Sequence, residues 1–159
     1  DTVLAEQRLV PHPALAGLFA HGLSDGRVIT LRAEPAAAML RVPTRGSGGR
    51  ANLHQGAIGL GVDLASGLTT RARHRDRDIT VHPDSGAPLV GVQLPFWRDI
   101  VDIAVRSARA VPLGYLGVDV GIDAARGPVV LEINKRPGLE IQNVNGFGLR
   151  PILERIAAR

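Results

Sequence analysis

Two acids and an amide in the last third of the chain have the types and spacing of a metal site. Tyr115–Ile122 (YLGVDVGI) and Pro128–Asn134 (PVVLEIN) are rich in β-formers and are separated by a turn sequence, AARG. A turn centred between Ala125 and Arg126 sets Asp119 opposite Glu132. The Cβ atoms of a directly opposed pair lie about 5 Å apart. Side chains alternate along a strand, so Asn134 shares the face of Glu132. Two carboxylates and an amide carbonyl then converge among Val118, Val120, Val130, Leu131 and Ile133. Opposed carboxylates repel unless a cation lies between them. Hard oxygen donors suit Mg²⁺ or Mn²⁺. The same spacing also describes a solvated hairpin face with scattered acids. Asp123 has the same parity but falls at the turn, a weaker position for a ligand.

A second group lies upstream. Arg50, Asn52 and His54 alternate in R-A-N-L-H. If this stretch is extended, all three point to one face, where a guanidinium, an amide and an imidazole can bind phosphate oxygens. His54 taken alone reads equally as a buried, hydrogen-bonded histidine. Arg27, Arg41, Arg45 and Arg50 lie on or beside the earlier strands. The loop Gly46–Gly49 offers backbone N–H groups to a phosphate. It does not match the P-loop pattern, and a lid or plain linker is the other reading.

The elements that must position these residues follow from the pattern of apolar and turn residues. A short helix is expected at Pro13–Phe19. Strands are expected at Gly26–Arg32 and Ala36–Val42 about a turn at Ala33-Glu34-Pro35, within AIGLGVDL, and at Leu68–Arg75. Residues 76–90 are polar, with turn signals in HPDSG and GAP. Pro95–Val111 places Trp97, Ile100, Ile103, Ala104, Ala108 and Val111 at helical spacing, with Pro95 at the helix start. Arg136-Pro137-Gly138 breaks the last strand, and Leu149–Ala158 is a short helix. Strands that arrive as hairpins predict an α+β fold, a largely antiparallel sheet with packed helices.

The bulk numbers narrow the function. The 159 residues suit one domain or a little more. No cysteine is present, which excludes disulfide frameworks and thiolate zinc sites. No apolar run has the ~18 residues that a membrane helix needs. No signal peptide is visible at the start, and a cytoplasmic protein is expected. The charge of +4 suggests an anionic partner. Scattered basic residues and 3% aromatics argue against nucleic acid. Of the basic residues all but Lys135 are Arg, the better residue for bidentate phosphate or carboxylate contacts. A GC-rich genome gives the same bias.

Four strings together resemble a known family: GRANLHQGAIGLGVDL (Gly49–Leu64), HPDSG (His82–Gly86), GYLGVDVGID (Gly114–Asp123) and GPVVLEINKRPGLEIQ (Gly127–Gln142). They are similar to the α-L-glutamate ligase-like, RimK-related proteins of the ATP-grasp superfamily, near its sugar-transfer-associated group. The resemblance implies an ATP-clamping fold of two lobes, of which residues 1–159 are the C-terminal one. It implies an ATP-driven acylphosphate made from a small-molecule or peptide carboxylate, then attack by an amine donor to give an amide. Asp119, Glu132 and Asn134 fall where the family holds magnesium. Arg50, Asn52 and His54 fall where it holds phosphates, Arg50 and Asn52 acting in catalysis. Arg27 falls near the nucleotide or substrate, and Arg136 beside an incoming carboxylate. Lys135 stands where relatives carry a small residue, within reach of phosphate or acceptor. The family's first half, with its phosphate-gripping lysines, has no counterpart here, since no Lys precedes residue 135. A segment of a longer ligase is therefore expected, with a non-catalytic metal- or partner-binding module as the alternative. A homo-oligomer stays open.

Overall fold

The computed structural model describes Val3 and residues 5–159. The β-branched run Val28-Ile29-Thr30 and the small apolar run around Ala36–Leu40 pair as an antiparallel hairpin. Its strands are β1 (Asp25–Leu31) and β2 (Glu34–Val42). Arg32 and Ala33 make the turn, both at positive φ (50° and 60°). This is tighter than the Ala33-Glu34-Pro35 turn expected, so Glu34 and Pro35 join the second strand. β3 (Ile58–Val62), β4 (Thr69–His74) and β5 (Arg77–Ile79) continue the sheet outward from β2. The polar stretch after residue 75 hid β5, which pairs with β4 and adds only Ile79 to the edge of the core.

β6 (Tyr115–Asp123) and β7 (Gly127–Asn134) form the last hairpin. β6 pairs with β1, so the sheet runs β5-β4-β3-β2-β1-β6-β7, all antiparallel. The expected α+β architecture is the one observed. Alternation along the strands sends Val28, Leu40, Leu60 and Val118 to one face, where Ile100 and Ala104 of α2 (Trp97–Ala110) cover them. Phe96, in the left-handed region, precedes that helix, so Pro95 stands before its cap rather than in its first turn.

Ile29, Ala37 and Met39 point to the opposite face. They pack against Ile141 and Val144 of α3 (Glu140–Asn145) and Ile156 of α4 (Arg150–Ala157). α3 was not expected, because Arg-Pro-Gly reads as a break and six residues carry too little periodicity. α1 is Pro13–Ala16, closed by Gly17 ahead of the expected end at Phe19. Three sheet residues on the α3 side are glycines. A Cβ on Gly59 would run into Val144, one on Gly61 into Asn145, and one on Gly117 into Pro137. Their absence lets α3 and the Arg136-Pro137-Gly138 loop lie against the sheet and form a wall beside β1.

Candidate functional site

Strand pairing sets polar side chains in rows across the α3 face. Asp25 of β1 faces Arg41 of β2. Arg27 of β1 faces Asp119 of β6, which faces Glu132 of β7. The expected Asp119–Glu132 pair thus forms, but by another route. Asp123 pairs with Gly127 about a loop centred on Ala125, and an extra residue on β7, Leu131, shifts the register back before Glu132. Asp123 is a turn residue. It accepts hydrogen bonds from the N–H groups of Val10, Ala125 and Arg126. Those bonds, led by Val10, hold its carboxyl down at about 2.

Asp119 is gripped by two arginines. Arg27 donates from Nε to Oδ1 and from Nη2 to Oδ2, both at 2.7 Å, the bidentate geometry that suits guanidinium and carboxylate. Arg41 donates from Nη2 to Oδ2 of Asp119 at 2.9 Å and from Nε to Asp25 at 2.6 Å. Asn134 Nδ2 donates to Glu132 Oε1 at 2.9 Å and to Asp119 Oδ2 at 3.3 Å. The Asp119 side chain is 1% exposed, against 12% for Arg27 and 13% for Arg41, so the shared carboxylate lies at the bottom. Burial works to raise its pKa. The Arg27 hydrogen bond and the charges of Arg41 and Arg27 outweigh burial and hold it below the ordinary carboxylate range.

Asp25 goes the other way. Burial pushes its carboxyl up to about 6, with Arg41 offsetting only part of the effect. A carboxyl with a raised folded-state pKa favours the folded state below its unfolded value. That contribution is lost as pH rises through the folded value. The melting temperature of Asp25→Asn should therefore fall less between pH 4 and pH 6 than that of the parent. In stability that difference corresponds to at most about 3 kcal/mol, from a carboxyl raised from 3.8 to about 6. Parallel thermal melts across that range check it, and identical slopes would refute the assignment.

A cleft of about 260 Å³ opens beside this array. Arg27, Arg41 and Glu132 line it from the sheet, Asn52 and His54 from the preceding loop, and Gly138 and Glu140 from the start of α3. The R-A-N-L-H stretch is not extended. Asn52 Oδ1 accepts from the His54 N–H and caps a 3-10 turn, Leu53–Gln55. Asn52 and His54 reach the cleft by this turn, and Arg50 stays exposed and is not among its lining residues. Lys135 and Arg136 are also exposed and outside the cleft wall. The Gly46–Gly49 loop folds on itself. Thr44 and Ser47 exchange backbone-to-hydroxyl bonds at 3.0 Å, and Gly48 and Gly49 donate to Arg45 and Thr44 carbonyls. Those N–H groups are not aimed at a phosphate.

The donor set of Asp119, Glu132 and Asn134 fits a small hard cation. All three supply oxygen, the donor type magnesium takes. Among the described residues, the second oxygen of Glu132 and the Asn134 carbonyl have no hydrogen-bond partner, and Asp119 Oδ1 accepts only from Arg27. No group of three His, Cys, Asp or Glu side chains suited to a metal occurs among the described residues, so the amide is essential to such a site.

The family model for sugar-transfer associated ATP-grasp proteins matches residues 1–158. The chain belongs to this family. Among curated relatives, the probable alpha-L-glutamate ligase of Xanthomonas campestris pv. campestris (strain B100) is 62% identical over 39 residues. That stretch is 24% of this chain and 13% of the relative. The probable alpha-L-glutamate ligase of Stenotrophomonas maltophilia (strain R551-3) is 63% identical over 38 residues, with the same shares. Among solved structures, the ATP-grasp ligase PsnB complexed with minimal precursor aligns with a TM-score of 0.47 at 17% identity. It covers 87% of this chain and 35% of its own. PsnB with minimal precursor, Mg and ADP gives 0.46 and 18%, covering 86% and 33%. The chain thus spans about a third of the solved chains, and its matched stretch 13% of the curated relatives.

Within this ATP-grasp chain, sequence reading left Asp25 of the ion network and Glu140 of the cleft wall out of the site. Arg41 was noted only as a nearby cation. No spacing rule links Asp25 or Arg41 to Asp119. The link exists because β6 inserts beside β1, which brings Arg27 to Asp119 across 92 residues of sequence. No helix among the described residues is long and apolar enough to cross a membrane.

Proposed function

We propose that this chain forms the metal- and phosphate-binding side of an ATP-dependent carboxylate–amine ligase. The observation that carries the reading is the Arg27–Asp119–Glu132–Asn134 array, which opens on a cleft lined by Asn52 and His54. In the reaction, a carboxylate takes the γ-phosphoryl group of ATP to become an acylphosphate, and an amine displaces phosphate to leave an amide. Asp119, Glu132 and Asn134 would hold Mg²⁺, which neutralises charge on the β- and γ-phosphates. Arg27 and Arg41 fix Asp119 in one orientation. Glu132, exposed at the sheet edge, is the ligand open to the cleft. Asn52 uses its carbonyl to cap the turn, which leaves its Nδ2 to donate to a phosphoryl oxygen. His54 donates beside it. Arg50, two residues earlier and outside the cleft wall, would reach the same group by a swing of its exposed side chain. Lys135 and Arg136, just past Asn134, meet the incoming anionic substrate. The expected substrates are a small-molecule or peptide carboxylate and an amine donor.

In the full-length protein, ADP release should depend on both carboxylate and amine. His54→Ala should lower kcat by roughly 10- to 100-fold through the loss of one preorganised donor. ATP hydrolysis that needs neither substrate would contradict the reading. A second reading, a metal- or partner-binding module without turnover, is favoured by the closed Arg27–Asp119–Arg41 network, which is satisfied without any ligand. Tight nucleotide binding in a calorimetric titration would argue against it.

A further inference from the structure

The HPDSG turn, His82–Gly86, lines no part of the cleft. Its three polar side chains reach into other segments instead. His82 is 1% exposed. Its Nε2 lies 2.8 Å from the Pro43 carbonyl, which can only accept, so Nε2 carries the proton and donates. Its Nδ1 then accepts from the N–H groups of Asp84 and Ser85 at 3.2 and 3.4 Å. Phe19 stacks on the ring, with 4.9 Å between centroids and 13° between planes. Asp84 Oδ2 accepts from the Arg45 N–H at 2.8 Å, and Ser85 Oγ donates to the Leu18 carbonyl at 2.6 Å.

The path from His82 to the cleft is short. The Pro43 carbonyl belongs to the same peptide unit as the Thr44 N–H. Thr44 Oγ1 donates at 2.9 Å to the carbonyl of Gly56, the residue that closes the 3-10 turn bearing His54. The Ala57 N–H returns to the Asn52 carbonyl at 3.0 Å. Two hydrogen bonds and one residue thus join a buried imidazole to the turn that presents Asn52 and His54. Thr44 and Ser47 are buried as well, and their hydroxyls are paired with each other's main chain. Burying polar groups costs free energy unless each is bonded, so such a relay holds its members in one arrangement. The HPDSG turn itself does not need the ring, because main-chain bonds from His82 to Ala87 and from Gly86 to His82 already close it. What only the ring supplies is the bond to Pro43.

We propose that His82 is a positioning residue for the cleft. Through Pro43 and Thr44 it fixes the loop of residues 43–57 so that Asn52 and His54 face a phosphoryl group together. The phosphoryl target rests on the ligase reading above, whereas the dependence of the loop on His82 does not.

Two conservative variants of the full-length protein divide the ring's roles. His82→Asn puts an oxygen near the place of Nδ1 and keeps the acceptor, but is too short for Pro43. His82→Gln puts an amide N–H near the place of Nε2 and keeps the donor. His82→Asn should lower kcat for carboxylate-dependent ADP release roughly tenfold or more, and His82→Gln should recover most of that loss. Thr44→Val, which cuts the second link and leaves His82 intact, should reproduce the loss. Added to His54→Ala, His82→Asn should cost at most about threefold more, because residues that act through one another are not additive. Ile100→Ala, a core truncation in α2, measures what lost stability alone does to kcat. The loop is read separately by the backbone N–H resonances of residues 52–56, which should move in His82→Asn and hold in His82→Gln. Equal kcat in the Asn and Gln variants, losses that follow melting temperature as they do in Ile100→Ala, or unmoved resonances in His82→Asn overturn the proposal. Resonances that follow the Pro43 bond in a protein that releases no ADP with carboxylate support the positioning role and remove the ligase reading alone.

Discussion

Glu132→Ala is expected to abolish carboxylate-dependent ADP release by the full-length protein while leaving its melting temperature almost unchanged. The two halves of that expectation have different origins. Glu132 is exposed on an edge strand, and Asn134 donates a hydrogen bond to its Oε1. Surface substitutions of that kind shift stability by about 0.5 kcal/mol or less. Removing the carboxylate also removes its repulsion with Asp119 across the strand pair. Catalysis depends on the same group much more heavily, since it is the acid open to the cleft. Loss of one such preorganised charge costs roughly 10²- to 10³-fold or more in turnover. A coupled ADP assay alongside a thermal melt separates the effects. Near-normal turnover would remove Glu132 from the metal site.

Asp119→Ala should fail in the opposite order, through the fold first. Its carboxylate is shared by two guanidinium groups that are nearly as buried as it is. Deleting one partner of a buried ion pair strands the others and costs about 3–5 kcal/mol. In a domain of this size that corresponds to a fall of roughly 10 °C in Tm. Replacing Asp25, Arg27, Arg41 and Asp119 together by apolar side chains should restore much of the stability, because both carboxylates of the buried network leave with both guanidinium groups. It should not restore ADP release. A single Asp119→Ala variant that melts with the parent would show that the ion network contributes nothing to folding.

The last hairpin was legible because both of its strands are rich in β-formers on either side of a short turn. Even so, Asp119 met Glu132 for a reason the sequence did not display. The loop centres on Ala125, and the Leu131 bulge makes up the difference. The R-A-N-L-H stretch misled because alternation was read as a strand, whereas Asn52 accepts from the His54 N–H and starts a turn. That competing local bond is a common habit of Asn. α3 was missed because it gains its stability from Ile141 and Val144 packing over sheet glycines, a tertiary effect. Family membership was legible from motifs, yet the Arg27–Asp119–Arg41 network was not. Periodicity says which face a residue takes, not which distant strand it will meet.

The insertion of β6 beside β1 has a consequence for how the chain folds. The two flanking hairpins are local and can form early, Arg27 and Arg41 on one, Asp119 and Glu132 on the other. Their junction closes 92 residues, against 16 for Arg41 and Asp25. That longer loop costs about 1.5 kcal/mol more in chain entropy. Before they meet, one hairpin carries Asp119 and Glu132, and the other carries two arginines, of which Arg41 has Asp25 beside it on the same hairpin and Arg27 has no acid until β6 arrives. Opposite charge draws such surfaces together and favours the register in which they match. The residues proposed to hold a cation in the finished protein thus also help to bring its two halves into line.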